Sequence, residues 1–338
     1  MVTILADLNA ARSVQGMSHP EIVFGVFIPQ GWKMELSAVD GAAAKWQTAV
    51  NVAKRAEQLG YDSLWVYDHF HNVPRPAGEA VFECWTTIAA ISQLTSTIRL
   101  GQMVGCNSYR NPGVLAKITS TIDVISGGRL DWGIGAGWYE NEYRGYGFDF
   151  PKPKDRIGML DETVQIVRSM WTQSETTFSG QYYDMKRAQC DPKPLQQPTP
   201  PIWIGGGGEQ LTLRVVAKYG DCSNFGGTPD VWEHKRDVLR GHCDSVDRDP
   251  DTIRMTWSPE VYIRETEAEI EAASSKAIWG QPVDEWRANN LVGTSDQVAE
   301  KMRQYVALGC GGFVPWCADY PDTETLERFA TEVIPEFR

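Results

Sequence analysis

Basic residues are scarce in this sequence relative to acidic ones. Its 338 residues contain 32 Lys and Arg against 44 Asp and Glu, which gives a formal net charge of -12. Non-specific nucleic-acid binding and docking on an anionic membrane both need an excess of Lys and Arg, so we expect neither partner. The balance does not exclude an anionic ligand, because backbone N–H groups can hold a phosphate on an acidic protein.

Long apolar runs and paired cysteines are also missing. No stretch approaches the roughly 18 apolar residues that a membrane-spanning helix needs, so we expect no membrane partner. The seven cysteines include no C-x-x-C pair, and their scattered spacing suggests neither a metal site nor a disulfide framework. Reduced thiols in a cytoplasmic protein are therefore expected. These cysteines are Cys84, Cys106, Cys190, Cys222, Cys243, Cys310 and Cys317.

The common motifs of covalent catalysis are absent as well. The sequence has no G-x-S-x-G, no H-E-x-x-H and no Lys-Ser/Thr after its glycine run, which disfavours hydrolases and P-loop NTPases. No pair of carboxylates stands out as a glycosidase dyad. Because the chain offers little covalent machinery, we expect a bound cofactor to supply the reactivity toward a small-molecule substrate.

Short hydrophobic strands alternate with amphipathic helices along the chain. The eight predicted strands are Ile22–Pro29, Ser63–Tyr67, Ile98–Val104, Arg129–Gly135, Ile202–Gly205, Cys222–Phe225, Ile253–Ile263 and Gly311–Trp316. Strands that alternate with helices indicate a parallel sheet, and eight such units favour an α/β fold of the (β/α)8 TIM-barrel type with insertion segments. An open Rossmann-like sheet is the alternative, but no G-x-G-x-x-G opens a helix after an early strand.

The barrel is predicted to form a single domain over residues 20–338. Residues 1–19 are interpreted as a leader outside the fold. Charged helical stretches at 265–291 are interpreted as an insertion after the seventh strand.

Local signals predict several other elements. Asn111-Pro112 begins a helix with a side-chain cap, and Thr294 begins a second helix with a capping box. A long loop is predicted for Ala136–Lys154 and a helix for Gly208–Tyr219. A hairpin is predicted around Phe178–Tyr183.

The second predicted strand ends in an acidic residue and a histidine. In a barrel of this type, function gathers at the C-terminal ends of the strands. Asp68 could fix the tautomer of the imidazole, and His69 could transfer a proton, so both are predicted to be catalytic. A helix-capping aspartate beside a surface histidine is the structural alternative. A metal site at His69 and His71 is disfavoured, because no third ligand has suitable spacing.

The third predicted strand ends in Met103-Val104, followed by Cys106 and Arg110. These four residues are predicted cofactor contacts, because the helix that follows offers free N–H groups and Arg110 adds a fixed charge. An ordinary capped helix would explain the same residues without any ligand.

Small residues end the fourth and fifth predicted strands. Gly135, Ala136 and Gly137 precede Trp138, and small residues at a strand end let a ligand approach the backbone. The run Gly205, Gly206, Gly207 and Gly208 is a candidate phosphate cradle. Tight barrel corners and a flexible loop are the respective structural alternatives.

Longer motifs run through these strands and loops. They are Tyr67–Phe70, Ile98–Gly101, Arg110–Pro112, Leu115–Lys117, Thr121–Asp123, Ser126–Arg129, Gly133–Trp138, Glu142, Tyr146-Gly147, Arg156 and Pro201–Gly206. The set resembles the luciferase-like monooxygenase superfamily, over roughly residues 22–335. Members of that superfamily have a bacterial-luciferase-like barrel and bind either FMN or the deazaflavin F420. Within it, the chain is most similar to the F420-dependent oxidoreductases of actinobacteria.

The resemblance implies roles for individual residues. A non-proline cis peptide is expected at Met103-Val104 or the adjacent bond. Asp68 would contact the polar edge of the cofactor ring, and His69 would lie near the carbon that transfers hydride. Gly135–Trp138 would line the ribityl or pyrophosphate side, and Gly206–Gly208 would hold the phosphate. A homodimer is the expectation for the assembly.

One position departs from the pattern of the F420-dependent sugar-phosphate dehydrogenases. Those enzymes carry an acidic glutamate where this chain has Trp138, so oxidation of glucose 6-phosphate is not expected here. Glu142 or Tyr139 could take the place of that acid.

Three functional hypotheses follow from the resemblance. The first is F420-dependent hydride transfer to or from a small organic substrate. The second is an FMN-dependent monooxygenase that uses reduced flavin and O2. The third is a non-catalytic flavin-binding barrel subunit, against which the intact Asp68-His69 pair and the Gly205–Gly208 run argue.

Overall fold

The computed structural model describes residues 21–273, 276–277 and 279–338, so the predicted leader at 1–19 lies outside the described residues. Within the described chain, eight parallel strands form a closed barrel in which each strand pairs with the next and the last with the first. They are β1 (Val23–Phe27), β2 (Ser63–Val66), β3 (Arg99–Gln102), β4 (Leu130–Gly135), β5 (Ile202–Gly205), β6 (Cys222–Asn224), β7 (Arg254–Trp257) and β8 (Gly312–Phe313). The predicted TIM barrel is confirmed, and the open sheet is wrong.

One principal helix follows each barrel strand. They are α1 (Ala42–Gln58), α2 (Cys84–Ser92), α3 (Pro112–Ile125), α4 (Pro153–Thr172), α5 (Thr212–Tyr219), α6 (Pro229–Asp244), α7 (Ser295–Ala307) and α8 (Glu324–Arg328). Shorter helices lie at Glu140–Tyr146, Glu267–Glu271 and Val283–Asn289. None of the described helices is long and apolar enough to cross a membrane.

Two helix starts agree with the local sequence signals. The Asn111 side chain accepts a hydrogen bond from the N–H of Gly113 at 2.9 Å, and Pro112 occupies the first turn of α3. At α7, the Thr294 side chain and the Gln297 side chain each accept from the other's backbone N–H. Both caps satisfy backbone donors that a helix N-terminus leaves unpaired.

Tryptophans fill the interior of the barrel. Trp65 of β2 lies over Gly25 and Gly101 on the neighbouring strands, where an added Cβ would come within 2.5 Å of the indole. Trp65 also meets Trp203 of β5 edge-to-face, with ring centroids 4.6 Å apart. Because β2 and β5 are not neighbours, this contact crosses the interior, which is a packed core rather than a pore.

The seventh and eighth predicted strands are each interrupted by proline. A separate strand, Glu260–Ile263, follows β7, and Trp316–Cys317 follows β8. Pro259 and Pro315 lie at the breaks, because proline has no N–H to donate to a sheet. In a three-stranded parallel sheet, Glu260–Ile263 is the central strand and pairs with Leu291–Gly293 on one side and with Trp316–Cys317 on the other.

Two further expectations need correction. The predicted loop Ala136–Lys154 contains the helix Glu140–Tyr146, which ends at Gly147 with a φ of 75°. Helix α5 begins at Thr212 rather than at Gly208, since a glycine run disfavours helix by its backbone entropy.

The predicted hairpin is present, with strands Thr176–Ser179 and Asp184–Ala188.

Candidate active site at the barrel mouth

A cavity of about 420 Å³ opens at the C-terminal ends of β2 to β5. Its lining residues are Trp32, Tyr67, Asp68, His69, Met103, Val104, Gly105, Cys106, Tyr109, Gly135, Ala136, Gly137, Trp138, Pro153, Arg156, Ile157, Gly205, Gly206, Thr212 and Asn224. Most of the residues predicted to bind the cofactor are therefore brought together. Three of them do not line the cavity. Gly207 and Gly208 follow the lining residue Gly206 in the sequence, and Arg110 binds other side chains.

One side of the cavity is a bulge after β3. The Met103-Val104 peptide bond is cis, as the resemblance implied. The Val104 side chain lies against Gly135 and Gly205, where an added Cβ would come within 2.6 Å and 2.8 Å of its methyl carbons. These two glycines therefore make room for Val104, a use that differs from the close approach of a ligand to their backbone.

His69 lies in the loop after β2 with its imidazole held on two sides. The ring stacks on Trp32, with centroids 4.2 Å apart and an interplanar angle of 3°. Its Nδ1 lies 2.8 Å from Oε2 of Glu142. An ionised carboxylate accepts only, so Nδ1 carries the hydrogen and Nε2 is the ring nitrogen left for a ligand.

Glu142 is a fully buried carboxylate behind His69. Its Oε1 accepts hydrogen bonds from the N–H groups of Phe70 and His71, and its Oε2 also accepts from the Tyr109 hydroxyl at 2.6 Å. Burial by itself would raise the pKa of Glu142, but the hydrogen bonds from His69, His71 and Tyr109 lower it below its ordinary value. Glu142 is therefore ionised at neutral pH and fixes the orientation of His69.

Asp68 is occupied by partners within the protein. Both of its oxygens are bound by the Arg110 guanidinium, at 2.6 Å and 3.0 Å, and Oδ2 also accepts from the Cys106 N–H at 2.8 Å. Arg110 further contacts Glu83 at 2.7 Å. Arg110 is a predicted cofactor contact, but its guanidinium binds Asp68 instead, and it is not among the residues that line the cavity. The pair ties the end of β2 to the loop after β3.

The same cluster contains three side chains of metal-binding type. In the described part of the chain, Asp68, Glu83 and Cys84 have ligand atoms within 4.8 Å of one another. Arg110 contacts all three, so its positive charge occupies the place that a cation would take. Burial and the Asp68 charge raise the pKa of the Cys84 thiol well above its ordinary value, which opposes the thiolate that a metal needs.

Cys106, another predicted contact, lines the cavity as a buried thiol. Burial and the nearby Asp68 raise its pKa to about 12, so the thiol stays protonated at neutral pH. Its sulfur lies 3.1 Å from the Tyr143 hydroxyl. Cys106 is therefore a packing residue of the cavity lining and not a nucleophile.

The glycine run forms an open loop between β5 and α5. Gly206 has a φ of 110°, which favours glycine, and its N–H is bound to the Asn224 carbonyl. Among the described residues, no protein acceptor binds the N–H groups of Gly207 and Gly208. The Lys235 ammonium lies against Gly207, close enough to meet an added Cβ at 2.6 Å. Two free donors and a cation make this loop suited to an anion.

Several lining residues are absent from the predicted set. Trp32 lies in the loop after β1, and Asn224 is the last residue of β6, so a position at or after a strand end is a signal that could have identified both. Tyr109, Ile157 and Thr212 reach the cavity from helical segments, and no pattern in the sequence marks them.

The fold and the site define a (β/α)8 barrel whose mouth holds a cavity of about 420 Å³ beside a cis-peptide bulge. The family model described as luciferase-like monooxygenase matches residues 22–289, and the chain belongs to this family.

Comparisons with individual proteins agree with this assignment. An F420-dependent glucose-6-phosphate dehydrogenase from Intrasporangium calvum is 30% identical over 314 residues, which is 84% of this chain and 92% of the relative. A solved F420-dependent secondary alcohol dehydrogenase is similar in fold, with a TM-score of 0.78, 20% identity, and coverage of 94% of this chain and 99% of that one. A type II Baeyer–Villiger monooxygenase from Pseudomonas putida, in complex with FMN, has a TM-score of 0.74, 20% identity and the same coverage. At such identities the two structures show the fold alone.

Proposed function

We propose that this protein is an oxidoreductase that binds F420 in the cavity and transfers hydride between the deazaflavin and a small organic substrate. The observation that carries the proposal is the imidazole of His69, fixed by Glu142 and Trp32 at a cavity beside the cis bulge. The relative from Intrasporangium calvum aligns with 84% of this chain and is named as F420-dependent. This similarity favours F420 over FMN.

The residues present suit a deazaflavin. Met103, Val104 and Ile157 give the cavity an apolar surface for a planar ring. Gly207 and Gly208, with their free N–H groups, and the neighbouring Lys235 would hold the phosphate of the tail. When bound, F420 supplies the hydride donor or acceptor.

His69 and Glu142 supply the proton handling. With Nδ1 bound to Glu142, Nε2 of His69 accepts a proton from a substrate hydroxyl, or returns it in the reverse direction. The buried negative charge of Glu142 stabilises the imidazolium that forms. Asp68 is bound by Arg110 and positions the backbone of Cys106, so we assign it a supporting role rather than proton transfer.

Titration of the purified protein with F420 and, separately, with FMN tests the choice of cofactor. We expect micromolar binding of F420, followed through the fluorescence of the deazaflavin, and no saturable binding of FMN. The reverse result would favour an FMN-dependent monooxygenase, since F420 has carbon at the flavin N5 position and reacts poorly with O2. Binding of neither would contradict the proposal and favour a non-catalytic barrel.

We further propose that the enzyme is a cytoplasmic homodimer. The seven cysteines are free and buried, which suits a reducing compartment. The dimer is supported only by the resemblance to the F420-dependent enzymes. Light scattering behind size-exclusion chromatography gives the mass in solution directly.

A further inference from the structure

Three aromatic rings surround His69. Trp32 stacks on the imidazole, and Trp138 and Tyr139 meet it edge-to-face at centroid distances of 5.8 Å and 5.9 Å. Tyr139 also stacks on Trp138 at 5.1 Å. We call Trp32, Trp138 and Tyr139 the aromatic wall.

Trp138 is the part of the aromatic wall that remains open. Its side chain lines the cavity, yet the residue is 56% exposed. A large apolar ring at the rim of a cavity gains free energy when an apolar ligand covers it. The wall therefore offers stacking and apolar contact to a substrate whose oxygen reaches Nε2 of His69.

Positive charge is scarce at this side of the cavity. Among the described lining residues, Arg156 is the only Lys or Arg, and it donates to the carbonyls of Gly137 and Pro151. Its guanidinium also lies 4.2 Å above the Phe150 ring. Arg156 is thus engaged on the Gly137 side rather than beside Trp32.

The Lys33 ammonium lies 6.0 Å from the centroid of the Trp32 ring of the aromatic wall, and it is already paired. Its Nζ lies 2.9 Å from Oε1 of Glu260, and both side chains are less than 10% exposed. The Trp316 ring lies 4.3 Å from the same Nζ, and Oε2 of Glu260 accepts from the indole N–H of Trp286. Among the described residues that line the cavity, and at Lys33, a phosphate dianion beside His69 would therefore find no cation that is not already bound within the protein, and burial of an unpaired charge is costly.

We infer that the substrate of this site is an uncharged molecule with an apolar or aromatic body and one oxygen for His69, and that Trp138 selects it against phosphorylated sugars. This inference rests on the proposed function. The aromatic wall favours an apolar substrate, and the paired Lys33 is not free to bind an anionic one.

Calorimetric titration tests this substrate class. The probes are 1-phenylethanol and glucose 6-phosphate, each titrated into wild-type protein with and without F420. We expect saturable binding of 1-phenylethanol and none of glucose 6-phosphate. The Trp138→Ala variant should bind 1-phenylethanol about tenfold more weakly, because a stacked ring and its buried area are lost. Trp279→Ala, which removes an exposed tryptophan outside the lining, is the matched control and should bind as wild type.

The outcomes separate the two proposals. Failure of F420 to bind contradicts the proposed function, while the substrate class is still measured on the free protein. Saturable binding of glucose 6-phosphate, or binding of neither probe, overturns the substrate class even if F420 binds. Equal loss in Trp138→Ala and Trp279→Ala would overturn the role of Trp138.

Discussion

Replacement of His69 by alanine is expected to lower turnover by about 100-fold or more, while F420 binding stays within a few-fold of wild type. The reason is that Nε2 of His69 is the proton acceptor at the cavity, and general acid–base catalysis typically contributes at least this much. The measurement is the rate of F420 reduction by the best alcohol of a panel that includes 1-phenylethanol, together with a cofactor titration.

Two companion variants sharpen this experiment. His71→Ala removes a nearby histidine that pairs with Asn141 outside the cavity lining, and it should retain wild-type turnover. Glu142→Gln keeps the shape of the side chain but removes the charge that fixes the Nδ1–H form of His69. It should lower turnover by roughly tenfold or more, and nitrogen-15 NMR of the imidazole should show mixed tautomers. Wild-type turnover in His69→Ala would remove its proton-transfer role.

Replacement of Arg110 by methionine is expected to lower the free energy of unfolding by roughly 3–5 kcal/mol. Asp68 is 2% exposed, and both of its oxygens are bound by the Arg110 guanidinium. Without that partner, the buried carboxylate has only the Cys106 N–H and the Cys84 thiol as its remaining donors. Urea unfolding followed by circular dichroism measures the loss.

The design includes a compensated variant and a surface control. Asp68→Asn combined with Arg110→Met removes both charges, and it should recover a large part of the loss. Arg144→Met breaks an exposed pair with Glu140 one helical turn away and should change the unfolding free energy by less than about 0.5 kcal/mol. Equal stability of Arg110→Met and Arg144→Met would show that the Asp68–Arg110 pair does not hold the barrel mouth.

The barrel could be predicted because its signals are local. Each strand is a short hydrophobic run, and caps such as Asn111 and Thr294 act within three residues. The errors in the predicted bounds of the seventh strand and of α5 also have local causes. Pro259 interrupts what reads as one continuous strand from Ile253 to Ile263, and the glycine run delays the start of α5 to Thr212.

The candidate site could be predicted only as a set of strand ends. His69 was identifiable from its place after β2, but its partner Glu142 lies 73 positions away on a helix that the sequence presents as a loop. Arg110 carries the charge expected of a cofactor contact, and only the folded structure shows that Asp68 takes it. Pairings between distant loops depend on three-dimensional packing, which local spacing does not encode.

We propose that F420 binds in the cavity at the ends of β2 to β5. An indole introduced at Ala136, a lining residue, would fill part of that cavity, whereas the same change at the exposed Ala43 of α1 would not. F420 titration of wild type, Ala136→Trp and Ala43→Trp, with unfolding temperatures recorded for all three, tests the claim directly. We expect at least about tenfold weaker binding in Ala136→Trp alone, at an unchanged unfolding temperature. Equal F420 affinity in all three proteins would contradict it.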